Sequence, residues 1–140
     1  MQRSPASRPL GLRMAGVVID CHDPIALAGW WQEITGFEPT WEQPFVPDPE
    51  GDAWASLKDP LGKQPHIAFQ RVPEDKVVKN RVHIDLHAPD EEAAADRIVE
   101  LGGRRLWRST EPDDPFVVLA DPEGNEFCVV RSPLTGASGS

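Results

Sequence analysis

Four histidines stand among carboxylates at spacings that could do acid–base or metal chemistry. Two runs share the pattern Val-x-Ile-Asp-x-His: Val17-Val18-Ile19-Asp20-Cys21-His22 and Val82-His83-Ile84-Asp85-Leu86-His87. Read as strands, they send Val18, Asp20 and His22 to one face of the first run, and His83, Asp85 and His87 to the matching face of the second. By the same alternation His66 and Gln70 share a face in a third run, and Glu126 and Cys128 share one in a fourth. A histidine within reach of a carboxylate can move a proton near neutral pH, so His83 and Glu126 are the candidate catalytic pair. Trp41, Trp54 and Trp107 could stack on a planar or apolar ligand, and Gln70, Asp85 and Cys128 supply polar contacts beside them. Each residue also has a simpler reading. His22 and His87 reach solvent at strand ends, Asp20 and Asp85 bond a neighbouring loop, Cys128 is a small core thiol, and Trp30 and Trp31 are core on a helical stripe.

The elements that must hold these residues are sharply punctuated. Asp23 caps a helix with Pro24 at its first position, and Gly36 supplies its left-handed stop. Between them Leu27, Trp30, Trp31 and Ile34 form one apolar stripe. Asp90 caps a second helix with Glu91 and Glu92 in its first turn and Gly102-Gly103 at its end, its buried stripe being Ala94, Ala95, Ile98 and Leu101. Asp59-Pro60-Leu61-Gly62 and Asp121-Pro122-Glu123-Gly124 are matching tight turns, each followed by a strand, His66–Val72 and Glu126–Arg131. Segments 52–58 and 116–120 are the strands before those turns, and 38–43 and 104–110 the strands before those again. The order is therefore βαβββ twice, with module 1 at about 13–73 and module 2 at about 80–132, forming a single domain over 13–132. Residues 1–12 and 133–140 are Pro-, Ser- and Gly-containing tails. A four-strand module with one helix leaves a sheet face bare, so two copies are expected to pair around a cavity. The Pro-rich segment 43–50 is placed as a flap over it.

Composition excludes several functions. The 140 residues carry 14 Lys+Arg against 23 Asp+Glu, a formal charge of -9, which argues against a nucleic-acid or anionic-membrane surface. No apolar run approaches the ~20 residues of a membrane span, and the N-terminal arginines and prolines lack an apolar signal core. The 2 cysteines cannot make a disulfide framework, which points to a cytoplasmic protein with reduced thiols. There is no nucleophile elbow, phosphate-binding glycine loop or paired Cys-x-x-Cys.

Taken in order, several segments resemble the vicinal oxygen chelate superfamily, also called the glyoxalase/bleomycin-resistance/dioxygenase superfamily. They are the Asp-capped helix with Trp30-Trp31, then Gly36-Phe37, Arg81–Leu86, Leu101-Gly102-Gly103 and Asp121–Phe127. The resemblance covers residues 14–131 and is nearest to the glyoxalase-like domain common in actinobacteria. It implies an α+β fold of tandem βαβββ modules forming a curved sheet around a cleft, often completed by a homodimer. It also implies a divalent metal held by the first and last strands of each module, acting as a Lewis acid on substrate oxygens. His83 falls on the ligand position of module 2, and its last-strand partner aligns with Cys128. In module 1 the first position falls on Gly16, counting back from the helix, or on Val18, by the internal repeat. The last-strand position there is His66, Ala68 or Gln70, so the metal set implied is His83 with His66 or Gln70. These missing donors make two functions compete. One is a small-molecule binding protein with a degenerate metal site, taking an aromatic or oxygenated ligand. The other is a glyoxalase-like lyase or isomerase using a divalent metal or His83 and Glu126.

Overall fold

The computed structural model describes residues 9–40 and 54–132. Both helices begin where their caps direct. α1 (Pro24–Thr35) starts on Asp23, whose carboxylate accepts the Ala26 N–H, and stops at Gly36 with φ 76°. α2 (Glu91–Glu100) starts on Asp90, which accepts the Glu92 and Ala93 N–H groups. Around them lie β1 (Gly16–Cys21), β2 (Glu38–Pro39), β3 (Trp54–Lys58), β4 (His66–Arg71), β5 (Ile84–Ala88), β6 (Arg104–Arg108), β7 (Phe116–Ala120) and β8 (Glu126–Arg131). The expected double βαβββ order is therefore present, and the fold is α+β. Trp41 and the segment 43–50, expected at the ligand site and as a flap, lie outside the described residues.

Each module makes its own four-stranded sheet, ordered β1-β4-β3-β2 and β5-β8-β7-β6. The first strand of each runs parallel to the last (β1 with β4, β5 with β8), and the other pairs are antiparallel. The helix-side faces carry the core: Ala55, Leu57, Ile67 and Phe69 in module 1, Val117, Leu119, Phe127 and Val129 in module 2. No helix of the described residues is long and apolar enough to cross a membrane.

α1 ties the modules together. Trp30 and Trp31 pack edge-to-face and tilted on Phe127 of β8, with ring centroids 5.9 and 5.0 Å away. Their indole N–H groups donate across the boundary, Trp30 to the Leu101 carbonyl (2.9 Å) and Trp31 to the Asp121 carboxylate (3.0 Å). Both tryptophans are thus core, and each buried indole N–H has its partner in module 2.

Two details depart from the strand pattern. Val82, expected on the helix-facing side, precedes β5 and is 78% exposed. The repeats also align two residues away from the Val-x-Ile-Asp-x-His match. Val18 pairs with Ala68 and Asp85 with Cys128, while Asp20 pairs with Gln70 and His87 with Val130. Asp85 is therefore the counterpart of Val18, His87 that of Asp20, and His83 that of Gly16.

Candidate functional site

The candidate residues fall on the face of each sheet opposite the helices, in cross-strand rows. In module 1 the row is Asp20, Gln70 and Trp54, with Trp54 46% exposed. In module 2 it is Asp85, Cys128, Val118 and Trp107. Trp107 reaches this row because β6 carries an irregularity between Arg105 and Trp107. The slip lets Arg105 and Arg108 both turn to α2, where they bind Glu92 and Asp96, and Glu91 and Glu92, respectively. Trp107 packs on Phe116 at 5.6 Å but stays 57% exposed.

His83 sits immediately before β5, with its Nε2 3.3 Å from Asp85 Oδ1. Cys128 completes a group whose nitrogen, oxygen and sulfur lie within 4.8 Å of one another. Cys128 is buried. Burial, followed by the Asp85 charge, pushes its thiol up to about 11, while Lys79 pulls slightly the other way. The other thiol, Cys21, is pushed up to about 12, again chiefly by burial. Neither is an activated nucleophile, since the thiolate is the reactive form.

Glu126 is held elsewhere than at His83. It accepts the Asn80 N–H at 3.0 Å and pairs with Lys76 Nζ at 3.1 Å. Burial pushes its carboxyl up, but these two donors outweigh it and leave the group below the usual carboxylate range. The linker between the modules is thereby pinned to β8. It is pinned again at His22, whose Nε2 lies 2.9 Å from the Glu74 carbonyl and 3.3 Å from Asp75. Neither pin was legible in the sequence, because Lys76, Asn80, Glu74 and Asp75 form no motif with the groups they hold.

A cavity of about 800 Å³ opens between β1 and β5 beneath this linker. Asp20, His83 and Glu126 line it, over a floor that includes Trp31 and Phe127. Trp54, Gln70, Asp85, Trp107, Cys128 and His66 do not line it. The structure therefore splits the candidates between this cavity and the open sheet faces, with the His83–Asp85 pair at the junction.

The metal positions can be tested by register. The module 1 counterparts of His83, Asp85 and Cys128 are Gly16, Val18 and Ala68. None carries a donor side chain. Gly16 also lies so close to β4 that a Cβ there would stand 2.7 Å from the His66 carbonyl oxygen. At these positions module 1 supplies no ligand, and among the described residues the close group of His, Cys, Asp and Glu donors, His83, Asp85 and Cys128, lies in module 2.

The model of the glyoxalase-like domain matches residues 16–130. The chain belongs to the glyoxalase-like family. Its fold is that of the glyoxalase/bleomycin-resistance/dioxygenase superfamily, and solved structures share it at low identity. The fosfomycin resistance protein FosX from Listeria monocytogenes is 12% identical, with 88% of this chain and 95% of that one covered at a TM-score of 0.66. A form of that FosX has been solved with Mn(II) and a dihydroxypropylphosphonic acid. A lactoylglutathione lyase from Agrobacterium tumefaciens is 17% identical, with 92% and 99% covered at a TM-score of 0.60. A superfamily enzyme from Burkholderia phytofirmans is 19% identical, with 84% and 96% covered at 0.59. No curated protein gives a significant match.

Proposed function

We propose that this glyoxalase-like protein binds a small aromatic or oxygenated organic molecule and has a degenerate metal site. The observation that carries the reading is the half-empty ligand set: Gly16 and Ala68 stand where module 2 has His83 and Cys128. A cavity of about 800 Å³ is in the size range of small-molecule sites, and its open walls combine apolar side chains with polar and charged ones. Trp54 and Trp107, exposed on the sheet faces away from the cavity, offer further flat apolar surface. The buried free cysteines Cys21 and Cys128 suit a reducing cytoplasm, where we place the protein.

A second reading, a lyase or isomerase, is favoured by the His83–Asp85 pair, in which a carboxylate orients an imidazole for proton transfer. Its weakness is Glu126, whose oxygens are already bound to Lys76 and Asn80. Metal analysis of protein purified without chelators, followed by calorimetric titration with Mn²⁺, Ni²⁺ and Zn²⁺, separates the two. The expected result is less than stoichiometric metal and no affinity that depends on His83. One equivalent of metal per chain, lost in His83→Ala together with a metal-dependent activity, would overturn the binding reading.

A further inference from the structure

The linker over the cavity runs against the composition of the chain. In a protein of net charge -9, residues 76–81 carry Lys76, Lys79 and Arg81 with no acidic residue between them. Lys76 is neutralised by Glu126. Among the described residues no carboxylate lies within 4.0 Å of the Lys79 or Arg81 cation, and both residues line the cavity. The acidic groups on the same walls are largely committed. Glu126 holds the linker, Glu123 accepts the His22 and Asp23 N–H groups, and Asp75 faces His22. Asp20 on β1 and Glu74, whose backbone carbonyl bonds His22, complete the acidic lining. Carboxylates and cations therefore share these walls, with Asp85 3.3 Å from His83, and Lys79 and Arg81 are the lining cations that no described carboxylate pairs.

The same linker presents apolar surface that the described residues leave exposed. Val77, Val78 and Val82 are 83%, 73% and 78% exposed, and all three line the cavity. Below them Val17, Ile19 and Phe127 continue the apolar wall. Exposed valines beside an open cavity gain most from a ligand whose body removes them from water.

We infer that the cavity takes an amphipathic organic anion, its carboxylate, sulfonate or phosphonate group bound by Lys79 and Arg81 and its apolar body covered by Val77, Val78 and Val82. This rests on the proposed binding function and gives its ligand a chemical class. Arg81 offers a planar fork of N–H donors suited to two oxygens of one anion, and Lys79 adds a mobile point charge.

Two fluorescent probes of similar body test it: the sulfonate 1-anilinonaphthalene-8-sulfonate and the neutral N-phenyl-1-naphthylamine. Titration of the full chain at low salt should show one saturable sulfonate site per chain. Affinity should fall about tenfold or more in Lys79→Ala/Arg81→Ala, with the neutral probe little affected and near-UV circular dichroism unchanged. Lys63→Ala/Arg104→Ala removes the same charge away from the cavity and should leave sulfonate affinity alone. Equal losses in both double variants would reduce the effect to net charge and overturn the inference. Neutral-probe binding with sulfonate affinity indifferent to Lys79 and Arg81 would overturn the anion assignment while leaving the binding function standing. Failure of both probes to bind would count against that function as well.

Discussion

The two modules share one order of elements and differ at the positions that carry chemistry. Both cap their helices with aspartate, and both turn on Asp-Pro-x-Gly with the aspartate accepting backbone N–H groups, Leu61 and Lys63 in one, Glu123 and Asn125 in the other. Yet the Leu61 N–H and its neighbours hold Asp59 below the usual carboxylate range, whereas burial pushes Asp121 up. At Asp121 burial is the larger effect, and the N–H groups it accepts, the Trp31 indole among them, offset it only in part. The first helical residues diverge too. Module 1 has Pro24, which lacks the N–H a helix start leaves unpaired. Module 2 has Glu91, fully buried and held by Arg131 at 2.8 Å and Arg108 at 3.2 Å. Backbone roles repeat because the fold demands them twice; side-chain chemistry is free to be kept in one copy and absent from the other.

The largest test of that contrast is at the helix starts. Glu91→Ala should cost ~3 kcal/mol in denaturant unfolding, since it dismantles a buried ion-pair cluster. Pro24→Ala, at the equivalent position, should cost only about 0.5–1 kcal/mol through added freedom of the unfolded chain. Comparable losses would mean that Glu91 contributes packing rather than charge.

The same group sets an acid limit. The hydrogen bond from Arg131, against the opposing push of burial, holds the Glu91 carboxyl at about 2, below its ordinary 4.5. The unfolded chain therefore takes up this proton first as pH falls. The stabilisation is whole above pH 4.5 and is lost toward about 2. Thermal melts across that window should fall more steeply for the wild type than for Glu91→Gln.

Next in size is the seam between modules. Trp31→Phe keeps an aromatic ring but removes the N–H to Asp121, and should cost about 2 kcal/mol by leaving a buried acceptor short of a donor. An unchanged melting curve would show that α1 joins the modules by apolar contact alone. The smallest effect is expected at Cys128→Ala, which gives module 2 the residue that module 1 has at Ala68. It should cost about 1 kcal/mol, the value of a small buried group. Consistent with a thiol at about 11, Cys128 should react slowly with a disulfide reagent at pH 7 in the native wild type. Rapid native-state labelling would instead reveal an activated thiolate.

The sequence alone determined the elements. Asp23 and Asp90, Gly36, and the turns at Asp59 and Asp121 act through bonds within about five residues, so local spacing suffices to read them. Strand parity was legible for the same reason, and Asp20, Gln70, Trp54, Asp85 and Cys128 fall on the face it assigned. Only the tertiary structure decided which residues are counterparts and which groups meet. A shift of two leaves every side chain on its own face, so alternation cannot distinguish the Val18–His83 match from the Gly16–His83 match that pairing to β4 and β8 imposes. Glu126 looked free for proton transfer until Lys76 and Asn80, 50 and 46 residues away, proved to hold it. Trp31 and Asp121 are separated by 90 residues and carry no sign of each other in the chain. Caps and turns are written locally; the cavity, its uncommitted cations and the half-empty metal positions exist only once distant strands are set side by side.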